Sequence, residues 1–318
     1  MIAYNPSFNP PWGLSNPHIQ TVSSSVLRKW SLKNSLTGFL NTGHDHIFEV
    51  KGQKLTATLH QQDQSYRPMI AILPGWLGSG DSSYALGFAH RLWIAGYSVA
   101  RLTLRDHGET AALNETMFNS ALTDEVVGFV HAATETAERV GVLGFSLGGN
   151  FALRVARADP TLSVLAICPA IEPRNTMYSI DRNVIYQRYF LNKWRDIWRV
   201  KAETFQEHYR LSDIAPFGSI QSLTEHFVKA QTEFHDVDTY FSAYDLSGDA
   251  LAGVSASVLV AKDDPIIPFS QFTNLPDSLE IEVTGKGGHG AYLKNWQLDS
   301  WLDDYVEQHF ARKLPIQA

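Results

Sequence analysis

The chain has 318 residues, of which 44% are hydrophobic and 19% charged, a balance that suits a folded protein with a sizeable core, built as one large domain with an insertion or as two small domains. Its net charge is -7 and it has no Lys/Arg-rich tract, so a phosphate-neutralising surface is not supported and no nucleic-acid partner is expected. A single cysteine, Cys168, excludes an intrachain disulfide framework, and neither a basic-then-apolar leader nor a run of about 20 apolar residues is visible. A cytoplasmic protein without stable membrane insertion is the expectation.

Residues 1–42 carry Pro6, Pro10, Pro11 and Pro17 and little periodicity, and read as an extended arm laid over the domain. Alternation over 46–50 and 54–60 predicts a hairpin that opens a sheet. The apolar run 69–73 ends at Pro74-Gly75, and a helical pattern over 83–95 stops at Gly96. Strand then helix recurs at 97–104 with 122–133, and at 140–145 with 147–158, before a further strand at 162–168. Such alternation implies βαβ crossovers, hence a mostly parallel sheet with helices on both faces.

From 169 to 253 the alternation gives way to aromatic-rich helical patterns, among them 183–199 with Phe190, Trp194 and Trp198 at i, i+4 spacing. Strand periodicity resumes at 257–261 and 279–283, and an amphipathic helix over about 292–310 closes the chain. The expected organisation is therefore a core of 43–168 and 254–318 interrupted by a helical cap insertion over 169–253.

Chemistry concentrates at the carboxyl ends of the predicted strands, where open α/β sheets place their sites. Gly144-Phe145-Ser146-Leu147-Gly148 matches G-x-S-x-G between a buried strand and a helix, a sharp turn that presents a nucleophilic serine. Side chains at Gly144 or Gly148 would crowd the crossing backbone. A serine hydroxyl needs a base and an orienting acid, and both follow in the order Ser, Asp, His. His289 stands in Gly287-Gly288-His289-Gly290. Asp264 precedes Pro265, which turns the chain away from its strand, and its neighbour Asp263 is the alternative acid. For the oxyanion, Leu147 offers a backbone N–H after the nucleophile, and Trp76 in Pro74-Gly75-Trp76-Leu77-Gly78 offers the second.

Three further features read differently. His44-Asp45-His46 lacks a third ligand and suits a surface turn better than a metal site. Asp106-His107 ends a strand on the site side and could line a pocket. The basic, Trp-bearing segment 188–201 packs its aromatics inward rather than onto a membrane.

At these residues the chain resembles the YheT-like, ABHD-type family of the α/β-hydrolase superfamily (AB hydrolase type 4). The likeness runs through Asn16-Pro17-His18-Ile19-Gln20-Thr21, Ser83-Tyr84-Ala85, Ser146-Leu147-Gly148-Gly149-Asn150, Tyr186-Gln187-Arg188-Tyr189, Ala261-Lys262-Asp263-Asp264-Pro265 and Gly287-Gly288-His289. It implies the α/β-hydrolase fold and places Ser146, Asp264 and His289 at the family's triad positions. The chain departs from the family at Arg105-Asp106-His107-Gly108, where relatives carry a glycine-rich turn, and in a cap shortened after Phe234. The expected activity is hydrolysis of a small carboxylic ester, of the kind that carries an acyl chain, through an acyl-enzyme with no metal or organic cofactor. The same machinery serves a thioesterase or another acyl-transfer hydrolase, and a non-catalytic ligand-binding member of the fold is the rival of a different class.

Overall fold

The computed structural model describes residues 2–5, 7–63, 67–213 and 217–317. In chain order, β1 (Ile2–Tyr4), α1 (Pro17–Val26) and α2 (Arg28–Leu40) precede the hairpin of β2 (Gly43–Val50) and β3 (Gln53–His60). Then β4 (Met69–Leu73), α3 (Ser83–Ile94), β5 (Ser98–Thr103), α4 (Thr123–Thr134), β6 (Val140–Phe145), α5 (Leu147–Ala158) and β7 (Ser163–Ile167) alternate. The helices α6 (Pro173–Asp181), α7 (Val184–Thr204), α8 (Ile220–Gln231) and α9 (Val237–Ser242) follow, and β8 (Ala256–Ala261), β9 (Leu279–Thr284) and α10 (Trp301–Lys313) complete the chain.

Among the described residues, nine strands form one sheet in the order β1-β9-β8-β7-β6-β4-β5-β3-β2. Pairing is parallel from β1 to β5 along that order, where helical crossovers return the chain, and antiparallel only in the β5-β3-β2 hairpin edge. The pleat divides the central strands between two cores. Met69, Ala71 and Leu73 of β4 face the core that includes α4, α5 and the helices after β7, whereas Ile70 and Ile72 face the core beneath α3 and α10. Ile70, Ile72 and Leu73 have no accessible surface, and each contributes about 1.5–3 kcal/mol by leaving water.

Two expectations are corrected. The segment read as an extended arm folds largely into α1 and α2, because Pro17 sits at the first turn of a helix and Asn16 caps it by accepting from the His18 and Ile19 amides. The closing helix begins at Trp301 rather than near 292. Ser300 is its cap, and positive φ at Tyr292 (48°) and Leu298 (67°) folds the preceding residues into a loop. The strand β1 carries no periodicity in its three residues, and its pairing with β9 is set by contacts made from the far end of the chain.

Candidate active site

Ser146 sits between β6 and α5 with φ 56° and ψ -116°, a conformation that costs on the order of 1–3 kcal/mol. Its amide donates to the Ile167 carbonyl at 2.9 Å, and its own carbonyl accepts from Asn150 and Ala170. The two flanking glycines are sterically obligatory. A Cβ on Gly144 would lie 2.1 Å from the Gly148 oxygen, and one on Gly148 would lie 2.2 Å from the Leu73 oxygen. The helix α5 therefore crosses β4 and β6 at backbone contact, which is what lifts the serine above the sheet.

His289 stands in the loop after β9, its side chain about nine-tenths buried. Its Nδ1 lies 2.8 Å from Asp264 Oδ2. The other oxygen of Asp264 accepts from the Ile266 and Ile267 amides at 2.7 and 2.9 Å, so this carboxylate is fixed from two directions. Asp263 points elsewhere. Its Oδ1 accepts from the Gly288 amide at 2.9 Å, and burial raises its pKa against that bond. Of the two neighbouring acids, Asp264 alone meets the imidazole. Burial is the largest single influence on His289 and opposes its charge, but the Asp264 carboxylate and the Cys168 sulfur together hold the imidazole pKa well above 6.5.

Ser146 and His289 line one cavity of about 530 Å³, together with the turn Gly75-Trp76-Leu77 after β4. That turn is braced: the Gly75 amide donates to the Tyr84 hydroxyl at 2.8 Å, and Lys193 of α7 donates to the Leu77 carbonyl at 2.9 Å. Among the described residues, neither the Trp76 nor the Leu147 amide donates to a protein acceptor. The Trp76 ring stacks on Phe190 of α7 with centroids 5.0 Å apart.

The model of the alpha/beta hydrolase family matches residues 70–308, most of the chain. This protein belongs to that family. No curated protein matches its sequence. Among solved structures it is similar to a putative hydrolase from Agrobacterium vitis S4 (TM-score 0.55, 16% identity, 86% of this chain and 99% of that one). It is likewise similar to an esterase of Pyrococcus furiosus (TM-score 0.55, 13% identity, 86% and 91%). A meta-cleavage product hydrolase from Pseudomonas fluorescens aligns with TM-score 0.52 and 18% identity over 84% and 97% of the two chains. At such identities the likeness is one of fold.

In this alpha/beta hydrolase several site residues carry no strong sequence signal. Cys168, at φ 39°, lies against the His289 imidazole, and burial raises its thiol pKa, so it is neutral near pH 7. Asp106 pairs with Lys201 of α7 at 2.8 Å, both side chains almost wholly buried, where it joins the α6–α9 segment to the loop after β5. His107 lines the cavity with Nδ1 on the Arg105 carbonyl at 2.8 Å, and burial lowers its pKa to about 4. His44 and His46 lie on β2, where Asp45 accepts from Thr58, and among the described residues no third ligand joins them. In α7, Leu191, Trp194, Trp198 and Lys201 are buried. No helix of the described residues is long and apolar enough to cross a membrane.

Proposed function

We propose that this protein is a serine hydrolase that cleaves carboxylic esters through Ser146, His289 and Asp264. The observation that carries the reading is the strained serine turn opening, beside an Asp264-bound imidazole, onto one largely apolar cavity. Asp264 accepts from Nδ1–H, which leaves Nε2 of His289 free to take a proton. As the imidazole takes the Ser146 proton, Oγ adds to the ester carbonyl carbon, and the carbonyl oxygen gains the negative charge. The Leu147 and Trp76 amides donate to that oxyanion. Collapse breaks the bond to the alcohol oxygen, which leaves with the proton from His289, and water repeats the sequence to release the acid. Asp264 stays ionised throughout and stabilises the imidazolium.

Met117, Phe118, Met177, Phe190, Trp194 and Ile266 around the cavity suit an apolar acyl chain of moderate length. The arm, elbow, cap and His-loop motifs support membership of the YheT-like branch. The test is active-site labelling. A fluorophosphonate should modify the wild type and not Ser146→Ala, and p-nitrophenyl ester turnover should fall about 10⁴-fold or more in that variant. Equal labelling of both proteins would overturn the assignment.

A further inference from the structure

We infer that helix α1 is the positioning element for His289, with Thr21 and Gln20 fixing the backbone on either side of the imidazole and Tyr186 linking that placement to α7. The inference rests on the catalytic reading above. It starts from a helix that is inside out. α1 buries Gln20, Thr21 and Ser24 on one face and exposes Ile19, Val22 and Val26 on the other. Apolar burial does not hold such a helix in place. Its inward face instead delivers hydrogen bonds, and these converge on one loop.

The Thr21 hydroxyl accepts from the His289 amide at 3.0 Å and donates to the Pro17 carbonyl at 2.8 Å. The Gln20 amide brackets Leu293, accepting from its N–H at 2.8 Å and donating to its carbonyl at 3.2 Å. The loop between turns tightly: Gly288 and Gly290 both hold positive φ (57° and 59°) beside the histidine, and the Ala291 and Tyr292 amides close on the Gly287 carbonyl. Close approach is also required there, for a Cβ on Gly288 would lie 2.9 Å from both the Pro17 oxygen and the Thr21 hydroxyl. α1 is itself anchored, by Ser83 donating to the Ser24 carbonyl at 2.8 Å and by the Arg28–Asp303 ion pair just beyond its end.

Its other contact is with α7. The Tyr186 hydroxyl bonds His18 Nδ1 at 2.9 Å. Ile185, Tyr186 and Tyr189 of α7 line the cavity opposite Thr21, Val22 and Val26 of α1. Tyr186 of α7 thus holds α1 at His18, three residues before the threonine that holds the His289 backbone.

The measurement is a kcat and KM comparison on a p-nitrophenyl ester. Thr21→Val, which keeps the shape and removes the hydroxyl, is expected to lower kcat about tenfold with KM held within about twofold, and Thr21→Ser to restore kcat. Tyr186→Phe is expected to lower kcat in the same sense by about threefold, and it serves as the second reading should Thr21→Val fail to fold. Slower but complete fluorophosphonate labelling of these variants would place the defect in the positioning of the base. Wild-type kcat in both Thr21→Val and Tyr186→Phe, with Ser146 labelling normally, would overturn the inference and leave the catalytic reading intact. Failure of wild-type Ser146 to label would sink both.

Discussion

The two walls of the cavity are built on different principles. On the sheet side, the turns after β4, β6 and β7 carry non-glycine residues at positive φ, namely Leu77, Ser146 and Cys168, each held by backbone packing and buried polar bonds. On the α6–α9 side, contact is mainly aromatic, with Trp194 edge-on to Phe227 at 5.4 Å and Tyr240 against Tyr244 at 5.1 Å. Among the described residues, its one deeply buried ion pair is Lys201–Asp106. Bond-making groups need fixed geometry, whereas a wall that accepts a chain of methylenes tolerates repacking.

The contrast is broken most sharply at the acids. Asp264→Asn should lower kcat about 10⁴-fold, because the imidazole loses the carboxylate that sets its tautomer. Asp263→Asn, whose side-chain oxygen can still accept from the Gly288 amide, should cost about tenfold or less in the same assay. A reversal of that order would exchange their roles. Next in size is Lys201→Met, which strands the Asp106 carboxylate and should lower unfolding free energy by about 3–5 kcal/mol in a urea titration. Adding Asp106→Asn should recover much of that loss, since no buried charge then remains unpaired.

The smallest expected effect is of pH, and it has two opposed parts. The Asp264 carboxylate raises His289 against burial, so the imidazolium must lose its proton before it can act as a base. Ester turnover should therefore climb about tenfold per unit below the His289 pKa and level off above it, at a pH well beyond 6.5. Stability runs the other way. The ion pair contributes fully below the unfolded imidazole pKa and is lost as pH rises through the folded one, so thermal midpoints should decline over the interval in which activity rises. On the acid side the buried neutral His60, His107 and His309, each lowered to about 4 chiefly by burial, contribute stability above 6.5 that is lost as pH falls through about 4. A midpoint that keeps rising with pH above 6.5 would contradict the stability part.

Much of this molecule is legible in its sequence where local pattern and tertiary role agree. The runs 69–73 and 140–145 are strands whose apolar side chains divide between two cores, with Val142 on one side and Leu143 and Phe145 on the other, and α5 can open at Leu147 because the elbow glycines let it cross at backbone contact. Asp264 next to Pro265 points to a residue at a turn, yet only the fold decides which of two adjacent carboxylates meets the imidazole. The α1 helix is obscure for the opposite reason. Its prolines look like breakers and its buried face is polar, so neither periodicity nor composition marks it, although Asn16-Pro17 is a sound helix start. The roles of Thr21, Cys168 and Lys201 depend on contacts across 268, 121 and 95 positions of chain.

Both borders of the sheet resist adding a further strand. β9, which leads to His289, would offer a row of free amides and carbonyls along its outer side were it not paired with β1, and β1 exposes a border only three residues long. At the opposite border, β2 exposes His44, Asp45, His46 and Glu49 together with Ile47. A short rim on one side and a charged one on the other make poor templates for strand addition. Nine strands can thus carry an active turn at their carboxyl ends without recruiting neighbouring molecules edge to edge.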